Sequence, residues 1–181
     1  MRLHRNTNII IKPAAYIVIA AVFLLLPFKF IAAWLLSILI HELSHIFMLW
    51  ILRVKIYKIT FGAFGASIDT EPMPRLIEAL STIAGPIGGF CMLFFAKWLP
   101  LTSIFAFIQS VYNLLPIFPL DGGRVVRALL PEKPATVISS IIKYLLIIIG
   151  LAISIIFKLG IIPFVALIVF FLKTPCNKSR L

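Results

Sequence analysis

Six long apolar runs make up most of this 181-residue chain. They cover residues 13–28, 30–52, 76–96, 101–120, 136–157 and 159–172. A helix needs about 20 consecutive, mostly apolar residues to cross the hydrocarbon core of a bilayer. Only 13% of the residues are charged, whereas soluble domains carry about 25%. A soluble globular enzyme, a disordered protein and a disulfide scaffold are therefore excluded. The pattern predicts an all-α polytopic membrane protein with about six transmembrane helices in one domain, 1–181. For the last and shortest run, a re-entrant segment is the alternative.

Basic residues outnumber acidic ones by 17 to 6, which gives a formal net charge of +11. No stripe combines basic and aromatic residues, so a nucleic-acid partner is not expected. Thirteen of the basic residues lie in the N-terminal arm, in 53–75, in 124–133 and in the tail, whereas Lys29, Lys97 and Lys158 lie in the short gaps between runs. Because cytoplasmic loops carry the excess of Lys and Arg, this distribution predicts that both termini are cytoplasmic.

The segment 53–75 is the one sizeable stretch that is not typical of a helix. Its β-branched and aromatic residues surround Gly62 and Gly65, and Pro72 and Pro74 close it. This composition predicts a small β-hairpin between the second and third helices. Open strand edges do not face lipid, so we expect the hairpin at the membrane interface or against protein.

The second run contains the motif HExxH, formed by His41, Glu42 and His45. Residues four apart share one face of a helix, so both imidazoles are able to bind one zinc ion. Glu42 is offset along the same turn, where a carboxylate can act as a general base. Ionisable residues inside a membrane span are costly and usually functional. The alternative is a pair of polar residues that packs helix against helix.

A catalytic zinc ion needs three protein ligands and one open position, and HExxH supplies two of the three. Asp121 is the favoured third ligand, because it follows the fourth run and precedes Gly122 and Gly123. These glycines would let the backbone bend sharply and bring the carboxylate to the metal. The alternative is that Asp121 is the N-cap of a helix over 122–130. His4 and the other acids lie in the arm or in loop and edge segments, where a solvated role is the default.

Two motifs together indicate a family. HELSH at 41–45 and the later sequence Asn113-Leu-Leu-Pro-Ile-Phe-Pro-Leu-Asp121-Gly-Gly resemble the site-2 protease family of intramembrane zinc metalloproteases (peptidase M50), and most closely its stage IV sporulation protein FB group. The resemblance covers about residues 30–130, the catalytic core. It implies that His41, His45 and Asp121 bind zinc and that Glu42 is the general base and acid.

The resemblance also implies that Asn113 lies near the site and holds substrate or an oxyanion. An ordinary interhelical hydrogen bond is the alternative for Asn113. The segment 85–89, with the sequence GPIGG, resembles the family's Gly-Pro segment in the third helix, where close helix packing is the favoured role. Many members of this group carry a C-terminal regulatory domain, and none is expected here, because the chain ends soon after its last run.

The function implied is that of a zinc metalloendopeptidase in regulated intramembrane proteolysis, in a bacterial cell membrane. Its substrate would be a membrane protein or a membrane-associated precursor, with regulatory membrane proteins as further partners. Residues 53–68 would receive an extended substrate by strand addition, and an inert connector is the alternative. A zinc transporter is the main rival, but it needs a path of polar ligands that the other runs hardly offer. An inactive scaffold is the second rival, and the intact Glu42 argues against it.

Overall fold

The computed structural model describes residues 8–13, 16, 20, 23–24, 26–62 and 65–156. It is mostly helical with one small sheet, as the charge and hydropathy pattern predicts. Its elements are β1 (Asn8–Ile11), α1 (Phe28–Ile51), β2 (Ile56–Gly62), β3 (Gly65–Thr70), α2 (Arg75–Cys91) with a 3-10 turn over Met92–Phe95, α3 (Pro100–Asn113), α4 (Asp121–Leu129) and α5 (Glu132–Ile156). They form two compact units, one up to Asn113 and one from Leu114 onwards.

The helix α1 carries a buried stripe at every fourth position. Ala33, Ser37, His41, His45 and Leu49 are buried, because residues four apart lie on one face. The remaining faces expose large apolar side chains, namely Leu35, Leu36, Leu39, Leu43, Phe47, Trp50 and Ile51. Apolar groups outside and polar groups inside reverse the usual arrangement of a soluble amphipathic helix. The arrangement is the one expected for a helix in lipid that keeps polar residues towards its partners.

Small residues bring α1, α2 and α3 together in the first unit. A β-carbon at Gly88 would overlap the side chain of Ser44 on α1, and one at Gly89 would overlap the hydroxyl of Ser110 on α3. Close approach through small residues is the usual mode of helix association in membranes. The predicted role in close helix packing is thereby confirmed for Gly88 and Gly89.

The predicted hairpin is present, and it belongs to a three-stranded sheet of order β1-β2-β3. β2 pairs with β3 in antiparallel register, Ile59 opposite Ile68 and Thr60 opposite Ser67. β1 pairs with the other edge of β2 in parallel register, Asn8 opposite Lys58. The sequence prediction did not include this strand, because its partner lies some fifty positions further along the chain.

Three of the described helices are long and apolar enough to cross a membrane: Phe28–Ile51, Arg75–Phe95 and Glu132–Ile156. The run 101–120 forms a shorter helix, since α3 ends at Asn113 and Pro116 and Pro119 follow. Half of run 13–28 and all of run 159–172 lie outside the described residues. The six-span count therefore stays a prediction.

In the second unit, a loop over 114–120 leads into α4, which contacts α5. The backbone N–H of Phe118 donates a hydrogen bond to the hydroxyl of Ser139 on α5, at 3.2 Å. The guanidinium of Arg127 lies over the Phe118 ring, 4.0 Å from its centroid. One residue of the loop is thus held both by its backbone and by its ring.

Candidate metal centre and active site

The two histidines of HExxH face each other from successive turns of α1. Their Nε2 atoms lie 3.2 Å apart, and their rings meet edge to face with centroids separated by 4.8 Å. Both side chains are buried, with 3% of His41 and 8% of His45 exposed. The prediction that the two histidines share one face of the helix is therefore confirmed, and the Nε2 atoms of the two rings lie next to each other.

The other ring nitrogen of His45 is held by the neighbouring helix. Nδ1 lies 2.9 Å from the backbone carbonyl oxygen of Ser81 on α2. A carbonyl oxygen only accepts hydrogen bonds, so Nδ1 carries a proton and donates it. The Nε2 atom of neutral His45 is then left with a lone pair. This is how a metal-binding histidine is usually oriented by its surroundings.

Asn113 approaches the site from the last turn of α3. Its amide Nδ2 lies 3.3 Å from Nε2 of His41. An amide nitrogen only donates, so His41 Nε2 is the acceptor in this contact. The two Nε2 atoms are themselves within hydrogen-bonding distance of each other, at 3.2 Å, and which of them donates depends on the tautomer of each ring. Three polar nitrogens, one from each of the two imidazoles and one from Asn113, therefore meet at the same place.

Glu42 lies one residue beyond His41 and is half-buried. One step along a helix turns a side chain by about 100°, which sets Glu42 to one side of the stripe that carries the two histidines. Glu42 therefore lies on the same turn of α1 as His41, but its side chain leaves the helix in a different direction from those of the two histidines.

Asp121 is buried, with 8% of its surface exposed, and it begins α4. The N-cap of this helix is Leu120, in extended conformation and without a side-chain cap. Asp121 is therefore the first helical residue, and its interpretation as an N-cap is wrong. A carboxylate in the first turn also interacts favourably with the helix dipole.

The sequence analysis predicts that Gly122 and Gly123 bend the chain sharply. This prediction is wrong, because both residues lie within α4. A β-carbon at Gly122 would overlap the backbone of Leu114 and Leu115, and one at Gly123 would overlap the backbone of Ile117 and Phe118. The two glycines thus let the 114–118 backbone lie directly on the first turn of α4. The two glycines position the loop next to Asp121 because they have no side chains to clash with it, and an unusual backbone conformation is not involved.

The first unit therefore brings together His41, His45 and Asn113, with Glu42 beside them, and the second unit contains Asp121. Sequence reasoning missed the Ser81 carbonyl, the contact of Arg127 with Phe118 and the role of Ser139. The residue type does not reveal which backbone carbonyl binds a side chain. In the sequence analysis Arg127 contributes only to the positive charge on the cytoplasmic side.

Comparison with known proteins places the fold and the family. A solved structure, the site-2 protease from Methanocaldococcus jannaschii, superposes with a TM-score of 0.66 over 100% of this chain and 97% of that one, at 23% identity. The fold is therefore that of site-2 proteases. Residues 73–157 match the family model described as peptidase family M50. The resemblance predicted from the two motifs is confirmed, and the matched part of this chain is similar to peptidase family M50.

Two curated relatives share parts of the sequence. A zinc metalloprotease of Methanocaldococcus jannaschii is 31% identical over 111 residues, which cover 54% of this chain and 33% of the relative. Stage IV sporulation protein FB of Bacillus subtilis is 29% identical over 139 residues, which cover 68% of this chain and 48% of the relative. The chain thus spans less than half the length of the curated relatives that it matches.

Proposed function

We propose that this protein is an intramembrane zinc metalloprotease that hydrolyses peptide bonds of membrane-spanning or membrane-associated proteins. The observation that carries the proposal is the buried His41–His45 pair, whose Nε2 atoms lie 3.2 Å apart. The pair lies on the buried face of α1, whose other faces expose large apolar side chains. The match of residues 73–157 to the model of peptidase family M50 and the name of the archaeal relative, a zinc metalloprotease, support the same activity.

The histidine geometry fits zinc. With Zn–N distances of about 2.0–2.1 Å and a tetrahedral angle, two nitrogens on one zinc ion lie about 3.3 Å apart, close to the 3.2 Å between the Nε2 atoms. We propose His41, His45 and Asp121 as the zinc ligands. Among the described residues, these three are the only buried His, Asp, Glu or Cys side chains. When bound, zinc supplies Lewis-acid chemistry, which activates water near neutral pH and polarises a peptide carbonyl.

In this proposal Glu42 moves the proton. Its carboxylate accepts a proton from the attacking water as the new C–O bond forms, and then donates that proton to the departing amide nitrogen as the C–N bond breaks. Asn113 is the donor for the carbonyl oxygen of the substrate, because its amide lies 3.3 Å from His41 Nε2 and so borders the proposed metal position. Both roles need a substrate that presents an extended peptide at this depth.

The sheet supplies a docking surface for such a peptide. β2 is paired on both sides, so the candidate receiver is the outer edge of β3 (Gly65–Thr70), which overlaps the predicted 53–68 segment at residues 65–68. An extended substrate would add a strand there through backbone hydrogen bonds. Only four residues, 71–74, separate this edge from α2, the helix whose Ser81 holds His45.

The proposed topology has six spans with both termini in the cytoplasm of a bacterial cell. It is supported by the three long apolar helices and by the thirteen basic residues on one side. In α1, His45 lies six residues, or about 9 Å, from the helix end that this topology places at the cytoplasm. Water would then reach the site from that side.

The alternatives are a zinc transporter and an inactive scaffold. The described residues contain no second cluster of buried His, Asp, Glu or Cys side chains that would continue a metal path. The test is to reconstitute the protein in liposomes with a mixture of single-span membrane proteins and to identify fragments by mass spectrometry, with Glu42→Gln as control. A protease yields fragments that disappear in the variant while zinc stays bound. Fragments at equal levels in both proteins, or none with zinc fully loaded, would overturn the proposal.

A further inference from the structure

We infer that Gly85 is a positioning residue for His45. The missing side chain at position 85 lets the His45 ring reach the Ser81 carbonyl, and this hydrogen bond directs Nε2 of His45 towards the metal position. The inference rests on the proposed zinc site and adds to it a residue that provides no ligand atom.

Gly85 lies directly under the two histidine rings. A β-carbon at this position would overlap Nε2 and Cε1 of His45 and would come to 2.9 Å from Cε1 of His41. The three nearest atoms thus all belong to the imidazoles of HExxH. A glycine in the interior of a helix destabilises it relative to alanine, and here the space that it leaves is filled by the histidine rings.

Ser81 and Gly85 act as a unit because they are one turn apart on the same face of α2. Ser81 contributes the acceptor, with its carbonyl oxygen 2.9 Å from Nδ1 of His45, and Gly85 contributes the room for the ring. A carbonyl oxygen has two lone pairs, so the Ser81 carbonyl is able to accept from His45 in addition to its helical partner. An alanine at position 85 would push the ring away from this carbonyl.

Gly88 offers a matched control on the same helix. A β-carbon at Gly88 would also overlap a side chain of α1, but that side chain is Ser44, whose hydroxyl donates to the carbonyl of Ile40 at 2.7 Å. Gly85→Ala and Gly88→Ala therefore add the same methyl group to the same interface. Only the first change is directed at a histidine.

The experiment measures the zinc affinity of the full chain in detergent by competition with a chromophoric chelator, for the wild type and both variants. We expect Gly85→Ala to lose about 10- to 100-fold in affinity, as when other groups that orient a metal ligand are removed, and Gly88→Ala to remain close to the wild type. Equal losses in the two variants, or no loss in either, would overturn the inference, because a general change in helix spacing would then explain the result.

A second measurement serves if Gly85→Ala does not fold. In metal-free wild-type protein labelled with ¹⁵N-histidine, we expect His45 to be protonated at Nδ1, as its bond to Ser81 requires. A proton on Nε2 alone would overturn the inference. Wild-type protein that binds no zinc but shows the Nδ1 proton would instead count against the proposed function, so the two failures are distinguishable.

Discussion

The side-chain amide nitrogen of Asn113, on α3, lies 3.3 Å from Nε2 of His41, on α1. If this amide stabilises the substrate's carbonyl oxygen, Asn113→Ala lowers kcat by about 10²- to 10³-fold and leaves one zinc per chain. The measurement is a rate of fragment formation on zinc-loaded protein. Gln109→Ala, one turn earlier on α3, is the control and keeps most of the activity. An unchanged rate in Asn113→Ala would leave Asn113 with the ordinary interhelical hydrogen bond.

Asp121 is expected to be necessary for zinc. Replacing it by alanine removes the only carboxylate of the proposed ligand set, so the zinc content measured by elemental analysis falls well below one per chain. Asp69→Ala is the matched control, because this carboxylate is exposed on β3. Full zinc occupancy in Asp121→Ala would exclude Asp121 as the third ligand.

Ser139 is expected to stabilise the loop before α4. Its hydroxyl accepts the only hydrogen bond described for the N–H of Phe118, and Ser139→Ala removes the partner of this part-buried donor at a cost of about 0.5–1.5 kcal/mol. The effect should appear as faster limited proteolysis within 114–120. Thr136→Ala, one turn earlier on α5, removes an exposed hydrogen bond to the Glu132 carbonyl instead, and this variant should be cleaved at the wild-type rate. A protected loop in Ser139→Ala would contradict the role given to this hydroxyl.

Ser37 on α1 and Gln109 on α3 lie one helical turn from the site, and we expect a weak coupling between them in the free energy of unfolding. The Ser37 hydroxyl lies 3.3 Å from Oε1 of Gln109 and also donates to the carbonyl of Trp34 at 2.7 Å. A double-mutant cycle with Ser37→Ala and Gln109→Ala, followed by unfolding in detergent, should give a coupling of about 0.6 kcal/mol. Additive effects would mean that the hydroxyl serves Trp34 alone.

The local part of the site was predictable because it depends on helix periodicity. HExxH places His41 and His45 one turn apart whatever the rest of the fold does, and β-branched residues around glycines indicated the hairpin. The resemblance to a family followed from the two motifs, and the match of residues 73–157 to the peptidase family M50 model bears it out.

The long-range part was not predictable from local pattern. β1 was missed because its parallel partner is remote in sequence. Gly122 and Gly123 were assigned the wrong physical role, because the backbone that they accommodate at 114–118 becomes visible only in three dimensions. The partner of His45 is the main-chain carbonyl of Ser81, and every residue type supplies such a carbonyl, so the side chain at position 81 gives no signal.

The polar stripe of α1 has a consequence for the order in which the protein is built. The group that satisfies His45 comes 36 positions later in the chain, and the one that contacts His41 comes 72 positions later. A chain inserted from its N-terminus thus exposes two imidazoles to lipid before either group has entered the bilayer. We expect chains that stop before residue 113 to be poorly retained as membrane-inserted species, because the imidazoles of α1 are costly in hydrocarbon without the groups that α2 and α3 bring to them.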